Sequence, residues 1–150
     1  MWRACISCLF LICATACHAG SVERKFFEGD IPSRMVRLEA YSVEQQWDIF
    51  RYGNQEIHPP PTGLALPLAK RGKPALYHIL GQLERSENDL DFRDSLVVFQ
   101  TMQWGGYYSV CADAGAMGAI ERNEQKITHP DWRNVYRQML GELCKRAREQ

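Results

Sequence analysis

The stretch LALPLAKRGKPALYHILGQLERSENDLDFRDSLVVF, residues 64–99, contains the clearest helix boundaries in the chain. Gly72 is typical of a helix C-terminus, because glycine readily adopts the left-handed backbone that closes many helices. Pro74 suits the first turn of the helix that follows. That helix has an apolar face at helical spacing, formed by Leu76, Ile79, Leu80 and Leu83. Because only Gly72 and Lys73 separate the two helices, we expect them to turn back on each other as an antiparallel hairpin.

A polar turn after this hairpin predicts the start of a third helix. Asn88 or Asp91 can act as its N-cap, since short polar side chains accept hydrogen bonds from the first backbone amides of a helix. The apolar face of this helix is formed by Phe92, Leu96, Phe99 and either Met102 or Gln103. Acidic residues cluster at its start, namely Glu87, Asp89, Asp91 and Asp94. The positive end of a helix dipole explains this cluster better than a cation site does.

The same stretch resembles a HEAT-type helical repeat. In that family the first helix ends in glycine, a proline opens the second, and an aspartate in the next turn precedes an apolar–arginine pair. The matching positions here are Gly72, Pro74, Leu76, Leu80, Leu83, Asp91, Phe92 and Arg93. The resemblance implies a binding or scaffold role rather than a chemical activity, which is an analogy at the level of the fold.

Three further helices are predicted outside this stretch. Residues 42–45 form a capping-box pattern, which predicts a helix that ends near Gly53. A second helix is predicted over residues 107–123, and a third begins at Pro130. Their apolar faces are, in chain order, Val43, Trp47 and Phe50; Val110, Ala114 and Met117; and Trp132, Val135, Tyr136, Met139, Leu140 and Leu143.

No segment shows the sustained alternation of apolar and polar residues that is typical of a strand. The sequence therefore predicts an all-α fold, either a small helical bundle or a short HEAT-like α-solenoid, with five to six helices. The predicted organisation is a signal segment over residues 1–19, a tether over residues 20–33 and a single helical domain over residues 34–150.

Charge argues against nucleic acid as a partner, and hydropathy argues against a transmembrane helix. The 150 residues include 18 basic and 18 acidic side chains, so the formal net charge is zero. Without a basic excess there is no electrostatic footprint for nucleic acid, and no nucleic-acid partner is expected. No apolar run reaches the length of about 18 residues that predicts a transmembrane helix.

Residues 1–19 are typical of an export signal, with one basic residue followed by a short apolar segment and small residues. The end of this segment resembles a bacterial lipoprotein signal, in which a cysteine receives a diacylglyceryl group. Thr15 and Ala16 fit the positions before that cysteine, and Cys17 occupies its place. The resemblance implies a lipid on Cys17 and a location on the periplasmic face of a bacterial membrane. Plain cleavage before Cys17 or Gly20, which gives a soluble periplasmic or secreted protein, stays open.

Four of the six cysteines lie in or next to the signal segment, which leaves Cys111 and Cys144 in the predicted domain. Two cysteines in an oxidising compartment favour a disulfide. Both also lie at apolar-face positions of predicted helices. The alternative is a pair of separate, buried thiols.

The segment QTMQWGGYYSVC, residues 100–111, is the most distinctive candidate for partner binding. Trp104, Tyr107 and Tyr108 surround a diglycine, and aromatic side chains with a polar tip are enriched at binding hot spots. The competing interpretation is a corner between helices, where the rings fill the core and the glycines make the turn.

The sequence offers no recognisable catalytic constellation. His58, His78 and His129 are the histidines of the predicted domain, and none has a partner at metal-ligand spacing. Phosphate-binding, dinucleotide-binding and nucleophile-elbow motifs are also absent from the sequence. We therefore expect neither a metal nor a cofactor, and we name no catalytic residue.

Two functions remain as hypotheses. The first is a small envelope protein of the scaffold or inhibitor (immunity) type, which acts by binding a protein partner and is held at the membrane by a lipid. The alternative is a cell-wall hydrolase that uses paired carboxylates, because a pair formed in space is invisible in one sequence. The absence of catalytic motifs favours the non-enzymatic function.

Overall fold

The structure is a computed structural model that describes residues 19–28 and 30–145. Its eight α-helices are α1 Ala19–Phe27, α2 Ile31–Ala40, α3 Val43–Glu56, α4 Ala65–Lys70, α5 Lys73–Leu83, α6 Asp89–Trp104, α7 Ala114–Asn123 and α8 Pro130–Leu143. Short 3-10 turns cover Thr62–Leu64, Val110–Ala112 and Glu124–Lys126. The described part of the chain contains no strand, so the predicted all-α fold is confirmed. Residues 1–18 of the predicted signal, which include the lipidation residue Cys17, lie outside the described residues.

The N-terminal part of the domain differs from the predicted tether. The range 20–33 contains most of α1 and the start of α2, which raises the number of helices above the expected five to six. Phe26 is buried, and the ring of Phe27 lies 5.8 Å from that of Tyr52 on α3. Arg34 and Arg37 of α2 donate hydrogen bonds to the last carbonyl oxygens of α1. Aromatic burial and these donors therefore bring α1 into the domain.

Helix α3 begins as the sequence predicts and ends later. Ser42 and Gln45 form both hydrogen bonds of a capping box. Trp47 and Phe50 are buried. The helix passes through Gly53, because this glycine is a site of close packing rather than a terminus. A Cβ there would lie 2.8 Å from the ring of Phe27.

Helix α6 lies at the centre of the domain and contacts α3, α4, α5 and α8. Asn88, not Asp91, is its N-cap and accepts a hydrogen bond from the amide of Leu90. Met102, rather than Gln103, belongs to its buried face. The predicted apolar faces of α5 and α6 are otherwise confirmed, since Leu76, Ile79, Leu80, Leu83, Phe92, Leu96 and Phe99 are all buried. Gly72 precedes α5 with a φ of +61°, and Pro74 lies in the first turn.

The predicted continuous helix over residues 107–123 is wrong. The chain makes a 3-10 turn at Val110–Ala112, and α7 begins only at Ala114. Asp113 is the reason, because its side chain accepts the hydrogen bond of the Ala116 amide and so starts a new helix. Ala114 is exposed, and the buried residues of α7 are Ala116, Ile120 and Asn123.

Helix α8 has a narrower buried face than the sequence predicts. Tyr136 and Leu143 are buried, whereas Val135 is exposed. The hydroxyl of Tyr136 donates a 2.8 Å hydrogen bond to the carbonyl oxygen of Ile120, which ties α8 to α7. Burial raises the pKa of this phenol.

Candidate functional site

A disulfide between Cys111 and Cys144 confirms the predicted pairing. The S–S distance is 2.00 Å and the two Cα atoms are 5.9 Å apart. The bond ties the 3-10 turn at Val110–Ala112 to the residue that follows α8. The backbone amide of Cys111 also donates a 2.9 Å hydrogen bond to the side-chain oxygen of Gln103 on α6. The end of α6, this turn and the end of α8 thereby form one cross-linked corner.

Trp104 contributes to this corner as a structural residue. Its indole N–H lies 3.2 Å from the carbonyl oxygen of Leu143, in the last turn of α8, where carbonyl groups lack partners within their own helix. The side chain is half-buried. The structure therefore separates Trp104 from the other two aromatic residues of the predicted patch, because its polar atom faces α8 inside the domain.

Gly105 and Gly106 turn the chain after α6 and set the position of Tyr107. Gly106 has a φ of +69°, which favours glycine. A Cβ on Gly105 would lie 2.4 Å from the Tyr107 ring and 2.8 Å from the Thr101 carbonyl oxygen. The Tyr107 ring therefore packs against the backbone of Gly105, and 41% of the Tyr107 residue remains exposed.

Tyr108 and Tyr77 meet at a single carboxylate. The Tyr108 hydroxyl donates a 2.8 Å hydrogen bond to Asp113 Oδ2. The Tyr77 hydroxyl lies 3.0 Å from each of the two Asp113 oxygens. The backbone amide of Ala116 donates a 3.0 Å hydrogen bond to Oδ1, which is the N-cap bond of α7. One aspartate thus starts a helix and fixes two phenols at the surface.

Electrostatics support this arrangement. The Ala116 amide and the Tyr108 hydroxyl hold the pKa of Asp113 below its usual range. The hydrogen bonds to Asp113 raise the pKa values of Tyr77 and Tyr108. Each shift favours the ionised carboxylate and the neutral phenols, which is the pair of states that the hydrogen bonds require.

Sequence reasoning missed Tyr77. It lies on α5, 36 positions before Asp113, and 44% of it is exposed. One signal was present, since Tyr77 is a large aromatic residue that falls outside the apolar face of α5. We call Tyr77, Tyr107, Tyr108 and Asp113 the tyrosine surface.

Basic side chains border the tyrosine surface. The Lys73 ammonium lies 5.5 Å from the centre of the Tyr77 ring, within range of a cation–π interaction. Lys70 forms a 2.9 Å ion pair with Glu39. Arg71 donates hydrogen bonds to the carbonyl oxygens of Glu39 and Tyr41. A shallow cleft of about 350 Å³ is lined by Glu39, Pro67, Lys70 and Arg71.

The acidic cluster of the sequence forms a second polar group, which we call the α3–α6 network. Asp91 and Asp94 are both buried, and the amide of Gln55 lies 3.0 Å from each carboxylate. Arg51 bonds Asp91 at 2.8 Å, and Arg93 bonds Asp94. Further donors are Asn54, Ser86 and Asn88. Burial raises the pKa of Asp94. The two carboxylates join α3 to α6, and their oxygens accept hydrogen bonds from these protein donors.

The histidines lie at separate places. His58 is exposed in the turn after α3, His78 is half-buried on α5, and His129 is the N-cap of α8. The described residues contain no group of three or more histidine, cysteine or acidic side chains that could hold a metal ion. Among the same residues, no helix is long and apolar enough to cross a membrane.

Comparison with known proteins gives no relative. No family model, no curated protein and no solved structure matches this chain. The function must therefore be argued from the surface itself.

Proposed function

We propose that this chain is a small helical envelope protein that binds a protein partner through the tyrosine surface and is held at the membrane by a lipid on Cys17. The observation that carries the binding function is the double tyrosine contact of Asp113. It holds Tyr77 and Tyr108 in fixed positions, while the rings of Tyr77 and Tyr107 stay exposed by 44% and 41%.

Fixed, exposed tyrosines are well suited to binding. A tyrosine provides a large contact area with few rotatable bonds, so little side-chain entropy is lost when a partner covers it. Here the hydrogen bonds to Asp113 already restrict two of the three rings before any partner arrives. The cation of Lys73 at the Tyr77 ring adds a charged border of the kind that guides association.

The binding function has more support than the carboxylate hydrolase. Asp91 and Asp94 are the two buried carboxylates that share a common neighbour, Gln55. Arginine and amide donors from the protein bond both carboxylates, and the Ser86 hydroxyl also donates to Asp91. A general acid or nucleophile needs access to its substrate. The oxygens of Asp91 and Asp94 instead accept hydrogen bonds from side chains that include Arg51 and Gln55 of α3.

A matched pair of variants tests the binding function. The double substitution Tyr77→Ala with Tyr107→Ala should reduce partner capture at least tenfold, measured by quantitative affinity purification from the source cells. The control is Arg85→Ala with Glu87→Ala, two exposed residues in the turn before α6. By helix rise, the length of α6 places this turn about 24 Å from the Tyr107 end of that helix, whereas Tyr77 lies about 9 Å from the end of α5 that leads into the turn. Equal capture by both variants would contradict the proposal.

The location rests on the first 19 residues and is tested separately. We infer that Cys17 becomes the lipid-bearing first residue, from the small residues before it and the apolar segment that precedes them. Several acyl chains hold a protein firmly at a membrane, at about 0.8 kcal/mol per buried CH₂ group. The mass of the N-terminal peptide of the mature protein should show a diacylglyceryl cysteine, and Cys17→Ser should abolish it. An unmodified peptide that starts at Cys17 or Gly20 would contradict the lipid anchor and leave the binding function untouched.

A further inference from the structure

The turn between α4 and α5 packs closely against the tyrosine surface. A Cβ on Gly72 would lie 3.3 Å from the carbonyl oxygen of Tyr107 and 3.8 Å from the Cβ of Tyr108. The backbone of this turn therefore lies against the backbone that carries two of the three rings. The Lys73 ammonium, 5.5 Å from the centre of the Tyr77 ring, extends the contact to the third. The basic turn and the tyrosine rings thus form one continuous surface.

This turn carries three exposed cations, Lys70, Arg71 and Lys73. Lys70 forms an ion pair with Glu39. In the described part of the chain, neither Arg71 nor Lys73 forms a salt bridge with a carboxylate. Arg71 donates hydrogen bonds from Nη2 to the carbonyl oxygens of Glu39 and Tyr41, which hold its side chain in place without neutralising its charge. Two positioned cations therefore remain available to an anionic partner.

Lys73 occupies a position that its own helix does not favour. It is the first residue of α5, where the helix dipole stabilises acidic rather than basic side chains. Its contact with Tyr77, one turn later on the same helix, holds the ammonium beside the exposed ring. Asp113 on the same surface already accepts hydrogen bonds from two phenols and from the Ala116 amide. The stability of α5 thus gives no reason for a cation at this position, whereas recognition of an anion does.

We propose that the partner presents an acidic segment to this surface, with carboxylates that pair with Lys73 and Arg71 and apolar side chains that cover Tyr77 and Tyr107. This inference rests on the proposed function, since it names the chemistry of the partner that the tyrosine surface binds. A carboxylate suits both cations, because it accepts paired hydrogen bonds from a guanidinium and a charge-assisted bond from an ammonium. Apolar contacts bordered by complementary charges are the usual composition of a protein interface.

A shallow cleft beside Arg71 adds a recess to this surface. The cleft has a volume of about 350 Å³ and is lined by Glu39, Pro67, Lys70 and Arg71. Glu39 brings a negative charge to the cleft, and its ion pair with Lys70 opposes that charge. A protruding side chain of a polypeptide can enter the recess, whereas a flat layer of lipid headgroups cannot. The surface therefore suits an acidic protein segment better than an anionic membrane.

Fluorescence anisotropy with the full chain and two synthetic peptides tests the proposal. One peptide alternates pairs of glutamates with single leucines, and the other has glutamine at every glutamate position. We expect the glutamate peptide to bind at least tenfold more tightly than the glutamine peptide. Lys73→Glu should weaken binding of the glutamate peptide at least fivefold, because it replaces an attraction with a repulsion.

The matched control is Arg85→Glu, which reverses an exposed cation just after the other end of α5, more than about 15 Å from Lys73 by helix rise. It should leave the affinity for the glutamate peptide unchanged. Lys73→Arg keeps the charge and should bind within twofold of the wild-type protein. The urea midpoint of Lys73→Glu should equal or exceed that of the wild-type protein, because glutamate is favoured in the first turn of a helix.

Three results would each overturn the proposal: equal affinity for the two peptides, no measurable binding of either peptide, or unchanged binding by Lys73→Glu. Binding to phosphatidylglycerol vesicles that Lys73→Glu abolishes, without binding of the glutamate peptide, would replace it with a membrane contact. The proposed function is judged separately, by partner capture with Tyr77→Ala and Tyr107→Ala. If that variant loses capture while the peptide results fail, the tyrosine surface binds a partner of another chemistry.

Discussion

The tyrosine surface and the α3–α6 network are both built around an aspartate in or beside the first turns of a helix, yet they serve different ends. Asp94 is fully buried and receives its hydrogen bonds from Asn54, Gln55 and Arg93. Asp113 accepts hydrogen bonds from the hydroxyls of Tyr77, which is exposed, and of Tyr108, which is half-buried. The two groups differ in how much of the donor side chains remains exposed to solvent. Amide and guanidinium donors of the buried network join two helices, whereas the Tyr77 donor of Asp113 leaves aromatic area exposed, which the proposed partner would cover.

The disulfide is the strongest single constraint beside the tyrosine surface. The double substitution Cys111→Ser with Cys144→Ser removes a cross-link between residues 33 positions apart. In the chain-entropy model we expect the free energy of unfolding to fall by about 4 kcal/mol. Urea denaturation measures this, and reduction of the wild-type protein should reproduce the loss. A change below about 1 kcal/mol would show that the corner is held by its hydrogen bonds alone.

Breaking the α3–α6 network should have the next largest effect. Asp94→Ala leaves the Arg93 guanidinium and the Asn54 amide without their acceptor, and we expect a loss of about 3 kcal/mol in stability. Denaturant titration provides the measurement. Asp131→Ala is the matched control, since that side chain is 87% exposed and such changes usually stay within about 0.5 kcal/mol. If both variants lost the same stability, the buried network would not be structural.

Substitutions in the tyrosine surface should reduce partner binding while leaving the stability of the domain nearly unchanged, in contrast to Asp94→Ala. Tyr77→Ala with Tyr107→Ala removes two side chains from residues that are 44% and 41% exposed. We expect the urea midpoint to stay near the wild-type value while partner capture is lost. A large drop in the midpoint would move these residues to the structural class of Asp94.

The smallest expected effect is spectroscopic. Asp113→Asn keeps an acceptor for the Ala116 amide but removes the negative charge next to Tyr77 and Tyr108. Because that charge and its hydrogen bonds raise the pKa values of both phenols, the substitution should shift their ionisation to lower pH. Ultraviolet absorbance of the phenolate reads the change during a pH titration, with Asp131→Asn as the control. An unchanged titration curve would mean that Asp113 does not fix the phenols.

The sequence predicted local features well. Short motifs predicted the capping box at Ser42, the boundary at Gly72 and an N-cap at Asn88 or Asp91, and counting favoured the Cys111–Cys144 bond. Each of these features is decided by residues near one another in the chain or by the number of cysteines available. The bonded partners of Asp94 were not predictable, because Asn54 and Gln55 lie 40 and 39 positions away.

The failures have a common physical cause. The tether prediction for residues 20–33 expected contacts of Phe26 and Phe27 but no helix, whereas the tertiary contacts of these two rings stabilise α1. The helix over residues 107–123 followed apolar spacing, but the side chain of Asp113 competes for the backbone. Tyr77 could not be predicted as part of the candidate site, because it meets Asp113 only through a contact between residues 36 positions apart.

Site-specific photo-cross-linking in living source cells tests the central claim most directly. A photoreactive phenylalanine replaces Tyr107 in one strain and Glu87, at the far end of α6, in another. We predict one discrete protein adduct from position 107, whose cross-linked peptide maps to the partner, and none from position 87. The adduct should also disappear when Tyr77→Ala is added. A partner cross-linked equally from both positions, or no adduct from position 107 in the strain that produces the partner, would contradict the binding role of the tyrosine surface.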